Sequence, residues 1–238
     1  MAGGDRRDGR DLGRREVTFS IAAHQDGRFG IAVSSSSPAV AARVVHLRDS
    51  VGAVASQNIT DPRLGAVLLD RLASGAGPQA ALDSVVGGEP SAEYRQLTVV
   101  DATGAAATFS GGFTLGVHGE ATGPHCAAAG NLLADPGVPA AMCEAFGSAA
   151  GELEERLLAA LTAGLAAGGE AGPVYSAGLS TVSANGWRDT DLRVDWQEDP
   201  VDALRGLLKV WLPQRDDYVR RGLDPAASPG YGVPGDDR

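Results

Sequence analysis

Aromatic side chains are scarce in this chain: Phe, Tyr and Trp together make up 5% of it. Hydrophobic residues still reach 43%, so the core is expected to consist mainly of small side chains that let backbones approach closely. Cysteine is limited to Cys126 and Cys143. Neither belongs to a CxxC pair or stands at zinc-ligand spacing with a histidine, and both are expected as buried small hydrophobes. The lack of a disulfide framework fits a reducing cytoplasm. No run of about 18 apolar residues is available to span a bilayer, so no membrane partner is expected. Clustered basic residues are also missing. The formal net charge of −10 argues against nucleic acid, because phosphate binding needs grouped Lys and Arg. The four histidines, His24, His46, His118 and His125, form no metal spacing, and neither metal nor cofactor is expected. His118 and His125 read as exposed loop residues.

What is present begins with a charged leader. Residues 1–17 interleave Arg6, Arg7, Arg10, Arg14 and Arg15 with Asp5, Asp8, Asp11 and Glu16. The apolar stretch of a signal peptide is absent, and the segment reads as disordered. Thr18 then opens the first convincing strand, Thr18-Phe19-Ser20-Ile21-Ala22-Ala23-His24, which turns at Asp26-Gly27 into a second ending at Ser34 to Ser37. A threonine that begins such a strand acquires a special chemistry if it becomes the chain terminus. Its hydroxyl is then the nucleophile and its own α-amine the base, without a histidine. Two routes would expose it: a start at position 17, read as Met and removed before the small Thr18, or cleavage after Val17. A strand threonine with no chemical role is the plain alternative.

Further along, residues 40–47 and 51–57 read as strands, followed by helices from Pro62 to Ser74 and from Pro78 to Gly87. The spans 95–101, 105–110 and 126–133 read as strands, with loop around 111–112 and 118–120. Helices are expected over 138–146 and 152–167, the latter from Leu153, Leu157, Leu158, Leu161 and Leu165 at helical spacing. Strands at 176–183 and 191–196 close the pattern, and Asp199-Pro200 launches a last helix through Leu204, Leu208 and Trp211. Hairpin-linked strands with paired helices predict an α+β fold of mostly antiparallel sheets covered by helices. One domain over 18–213 is expected, with an extended tail over 214–238 packed on it.

Several ordered blocks carry a resemblance. They are Thr-Phe-Ser-Ile at 18–21, Gly-Ile-Ala-Val-Ser-Ser at 30–35, Val-Gly-Ala-Val-Ala-Ser-Gln at 51–57 and Gly-Asn-Leu-Leu at 130–133. Arg95-Gln96, Val99-Val100-Asp101, Asp191 to Asp195 and Tyr231 to Asp236 add to them. Together they resemble the bacterial and archaeal domain of unknown function 1028 family, which is grouped with the N-terminal nucleophile (Ntn) hydrolases. The resemblance implies a four-layer αββα sandwich. It gives a reaction class more readily than a substrate; the leading expectation is an amidohydrolase acting on a small-molecule amide, and the fold is compatible with pairing as a homodimer.

Candidate catalytic residues follow from the strand pattern and the resemblance together. Thr18 is the nucleophile, and Ser35 is a hydrogen-bonding partner of its α-amine, sharing strand-face parity with Val33 and Ile31. Gln57 and Asn131, at strand ends, are oxyanion donors. Ser56, Glu170 and Ser176 are expected to line the substrate pocket. The alternative is a non-catalytic Ntn-like scaffold that binds a metabolite or partner. It draws on the segment 168–177, Gly-Gly-Glu-Ala-Gly-Pro-Val-Tyr-Ser-Ala, where relatives carry basic residues that this chain lacks.

Overall fold

The computed structural model describes residues 18–235. The expected leader, 1–17, and the last residues of the expected tail, 236–238, lie outside them. The chain opens with a hairpin of β1 (Thr18–Gln25) and β2 (Arg28–Ser35). Asp26 and Gly27 at its turn have φ of 51° and 78°, the paired positive values of a type I′ turn, whose twist matches that of the strands. Next come α1 (Ala41–Val44), β3 (Val45–Arg48) and β4 (Gly52–Asn58). Helices α2 (Arg63–Ala73) and α3 (Pro78–Gly88) precede β5 (Arg95–Asp101), β6 (Ala106–Ser110), β7 (Gly119–Gly123) and β8 (Cys126–Asn131). Helices α4 (Val138–Ser148) and α5 (Leu153–Ala166), strands β9 (Ser176–Val182) and β10 (Arg188–Val194), and helices α6 (Pro200–Trp211) and α7 (Arg215–Leu223) complete it.

The strands form two antiparallel sheets. One has the order β10-β9-β2-β1-β8-β7, the other β3-β4-β5-β6, and the fold is mixed α+β, as the strand–helix order predicts. Three apolar cores hold the elements together. The first joins the six-stranded sheet to α4, α5 and α6 through Phe19, Ile21, Met142, Phe146, Leu157 and Leu204. The second lies between the sheets and uses Ile31, Val33, Ala53, Ala55 and Val100. The third joins the four-stranded sheet to α2 and α3 through Val54, Leu68, Leu82 and Leu97. All three lie within 18–235. Among the described residues no helix is long and apolar enough to cross a membrane.

Two expectations need correction. The single strand expected over 40–47 is a helical turn, α1, followed by β3. Val40, Ala41 and Val44 are buried, a one-turn helical spacing too short to stand out against a β-branched sequence. The turn seats on bare backbone: a Cβ at Gly178 would fall 2.4 Å from the Ala41 Cβ. The expected loop at 118–120 instead leads into β7. That strand pairs only with β8, at the sheet edge, and its Gly-Glu-Ala-Thr-Gly sequence offers little strand propensity. Both cysteines are free and buried.

Within the span expected as an extended tail, Arg215 anchors α7 to the body of the protein. Glu154, on the first turn of α5, is fully buried and accepts hydrogen bonds from Arg28 Nη1 and Arg215 Nη1, each at 3.1 Å. Thr181 and Thr190 each add a hydroxyl donor at 2.9 Å. Burial pushes the carboxyl up, but Arg28 and Arg215 outweigh it and hold the group at about 2. A depressed folded value stabilises the protein above the ordinary glutamate range, and that stability is lost as pH falls towards about 2. Glu154→Gln leaves two arginines clustered without their charge partner. It should cost about 3–5 kcal/mol at neutral pH, with the deficit shrinking on acidification below about 4.5; urea unfolding across that pH range measures both.

Candidate functional site

Strand alternation on β1 sorts its side chains. Phe19, Ile21 and Ala23 enter the helix-side core and Ala22 the inter-sheet core, so Thr18 and Ser20 face the second sheet. Because β1 lies inside its sheet, Thr18 is flanked on both sides, by Ser35 of β2 and Asn131 of β8. The same parity brings Gln57 and Gln96 to this face from β4 and β5. The ends of five strands thus meet in one buried polar cluster.

Its bonds connect the two sheets. Ser20 Oγ donates to Gln57 Oε1 at 2.6 Å, and Gln57 Nε2 donates to Gln96 Oε1 at 2.8 Å. Asn131 Nδ2 donates to the same Gln96 oxygen at 3.1 Å, while Gln96 Nε2 reaches the Gly130 carbonyl at 3.1 Å. With its amide nitrogen turned to Gln96, Asn131 points Oδ1 the other way. That oxygen is buried and has no hydrogen-bond donor among the described residues. Thr18 is 5% exposed, and its Oγ1 lies 3.4 Å from Ser35 Oγ. Ser35 Oγ is in turn 2.7 Å from Ser37 Oγ and accepts from the Ser37 N–H.

The structure therefore groups Thr18, Ser35, Gln57 and Asn131 at one point. Ser56 stands apart from them: it alternates to the helix-side face of β4 and donates to the Asp61 carbonyl at 3.0 Å. Its side chain is a loop fastener, so the expectation that it lines the pocket does not fit its orientation. Ser176 pairs with Ser35 in the strand register, and its hydroxyl is spent on the corner after β2. It donates to the Ser37 carbonyl at 2.6 Å and accepts from the Val40 N–H at 3.3 Å. His118 and His125 are exposed; His125 sits beside His24 at the far end of β1.

Gln96 is a cluster member that sequence reasoning did not single out. Its signal was a glutamine inside a strand buried on both faces. The aromatic rim was missed as well. Tyr175 and Trp196 stack at 4.6 Å beside the end of β2, where the Tyr175 N–H donates to the Ser35 carbonyl at 2.8 Å. On the other flank, the Leu132 and Leu133 N–H groups bond the carbonyls of Leu115 and Val117, bringing the exposed Phe113, Leu115 and Val117 over the end of β8. Two cavities lie elsewhere: about 550 Å³ between α5 and α6, lined by Leu158, Leu208 and Leu212, and about 230 Å³ between β10 and α7. Among the described residues no group of three or more His, Cys, Asp or Glu could hold a metal ion.

Glu170 closes the site from above. It is 4% exposed, and its two carboxylate oxygens accept from the Ser36 N–H at 2.8 and 3.0 Å. Burial raises its carboxyl to about 8, and the Ser36 donors only partly oppose this. A carboxyl raised on folding binds more protons in the folded state, so its contribution falls as pH rises from the ordinary range through about 8. In the full-length chain, Glu170→Gln should therefore raise the melting temperature at pH 8 and leave it nearly unchanged at pH 4, as scanning calorimetry at both pH values will show.

Comparison with known proteins places this architecture. The crystal structure of a protein from Silicibacter pomeroyi superposes with a TM-score of 0.79 at 32% sequence identity, covering 86% of this chain and 91% of that one. That protein is itself assigned to the DUF1028 family. A search of curated proteins finds no match. The family model described as a family of unknown function, DUF1028, matches residues 18–204. The grouping of Thr18, Ser35, Gln57 and Asn131 thus sits inside the matched region, and the chain belongs to the DUF1028 family.

Proposed function

We propose that this protein is a small-molecule amidohydrolase of the Ntn type. Its layers correspond to an αββα sandwich, and its mature chain begins at Thr18. One observation carries the reading: the hydroxyl that opens an interior strand shares a buried polar cluster with Ser35, Gln57, Gln96 and Asn131, in which the Asn131 Oδ1 has no donor. A buried acceptor left open costs free energy unless a donor arrives, and the N–H of an amide substrate supplies one.

In the proposed reaction the α-amine of Thr18, in its neutral form, takes the hydroxyl proton as Oγ1 attacks the amide carbonyl carbon. The new C–O bond gives a tetrahedral oxyanion. The remaining N–H of Gln57 Nε2 is the side-chain donor proposed for it, and an oxyanion donor is worth about 2.7–4 kcal/mol. The oxyanion collapses as the C–N bond breaks, and the α-ammonium returns its proton to the departing amine. Water, deprotonated by the same α-amine, then cleaves the threonyl ester, releasing the carboxylic acid and restoring Oγ–H. Ser35, 3.4 Å from Oγ1, orients the hydroxyl. The mostly apolar rim of Phe113, Leu115, Val117, Tyr175 and Trp196 favours a substrate with an apolar or aromatic portion.

The second reading, a non-catalytic scaffold, is favoured by how little of Thr18 reaches solvent. The two separate in one assay. A chain starting at Thr18, offered a panel of linear and cyclic amides, should hydrolyse at least one of them, and mass spectrometry should trap an acyl ester on Thr18. Thr18→Ala in that chain should lower the rate by about a thousandfold or more with an unchanged melting temperature. Equal turnover by the alanine variant removes Thr18 as nucleophile, and no turnover by either leaves the scaffold.

A further inference from the structure

Thr18 begins β1 between two strands whose chains both continue past it. On one side β2 runs on to Ser36; on the other β8 runs on through Leu132 and Leu133. Glu170 bridges these two extensions. Its backbone pairs with Leu133, with the flanking bonds Ala171 N–H to Leu132 carbonyl at 3.0 Å and Ala134 N–H to Gly169 carbonyl at 3.0 Å. Its side chain crosses to the opposite flank, where the carboxylate takes the Ser36 N–H. The crossing lies over the line along which β1 would be prolonged backward by one residue, a step of about 3.4 Å. That is the direction in which the Thr18 nitrogen points.

The carboxylate there is nearly enclosed, and it forms no ion pair among the described residues. Buried charges in proteins are ordinarily paired, because an unpaired one costs several kcal/mol of desolvation. The backbone and hydroxyl donors of Ser36 leave that cost largely standing. Resting on the reading that the mature chain begins at Thr18, we propose that Glu170 is the counter-charge of the Thr18 α-ammonium, a positioning residue that holds the terminal amine between Ser36 and Leu133. When Thr18 Oγ1 gives up its proton, the positive charge that forms on the amine then develops beside an anion. The same attraction fixes the direction of the amine's lone pair once the proton leaves. This gives the chain one acid that is costly while residue 18 is joined by an amide and useful once its nitrogen is free.

The test compares Glu170→Gln in two backgrounds, the full-length chain and the chain beginning at Thr18, which retains all three cores. Glutamine keeps one oxygen for the Ser36 N–H while removing the charge. At pH 7.5 the substitution should raise the melting temperature of the full-length protein and lower that of the Thr18-start protein, a reversal of sign that a merely structural role cannot produce. In the Thr18-start protein, the α-amine titration, read from the 13Cα shift of Thr18 after 13C-threonine labelling, should move down by about one pH unit or more in the variant, a tenfold change in proton affinity. Melting shifts of the same sign in both backgrounds, or an α-amine midpoint unmoved by the substitution, would overturn the assignment. Neither measurement requires turnover. An inactive protein with the sign reversal would sink the hydrolase reading alone, and an active one without it would sink only the role given to Glu170.

Discussion

The alternation of β1 constrains everything near its start. Phe19 and Ile21 are locked into the core against α4 and α5, and a slip of one residue would move both to the opposite face. With that register fixed, Thr18 and Ser20 have no choice but to face the second sheet. The hairpin turn at Asp26-Gly27 sets the pairing with β2, and β8 closes the other side with alanine and glycine. Small side chains on β8 keep the sheets near enough for Ser20 and Asn131 to hydrogen-bond directly to Gln57 and Gln96.

The polar cluster is therefore a consequence of packing as much as a local motif. Six amide and hydroxyl side chains, those of Thr18, Ser20, Ser35, Gln57, Gln96 and Asn131, sit between two sheets, where unmet hydrogen bonds are costly, and most of their bonds run to one another or to nearby backbone. Gln96 is the hub: its oxygen accepts from both Gln57 and Asn131, which fixes the orientation of both amides. What remains open is limited to one side, at Asn131 Oδ1, next to the residue whose hydroxyl begins the sheet. Glu170 adds a buried carboxylate at this end, opposite in circumstance to Glu154, which two arginines compensate.

Much of this was legible in the residues. Alternation located β1, strand-like runs between turns located β2, β4, β5 and β9, and periodic leucines located α2 and α5, because long runs repeat a signal that packing then reinforces. Parity alone placed Ser35 on the face of Thr18. The failures share a cause: α1 is a single turn hidden among β-branched residues, and β7 is a glycine-bounded edge strand that its partner β8 supports. Ser56 was misjudged because its nearness to Gln57 in sequence concealed the opposite direction of its side chain. Gln96 and the Tyr175–Trp196 stack bear on the site only through contacts between distant segments, which no local pattern records.

The clasp around Glu154 has a consequence for biosynthesis. Arg28 leaves the ribosome before Glu154, and Arg215 after both, so the ionic knot cannot close until the start of α7 has been made. Thr18 is likewise paired with Asn131, more than about a hundred residues away, and such distant pairings form slowly because loop entropy opposes them. A nascent chain halted before α7 would hold Glu154 with one of its two arginines, a half-compensated acid buried against the first core.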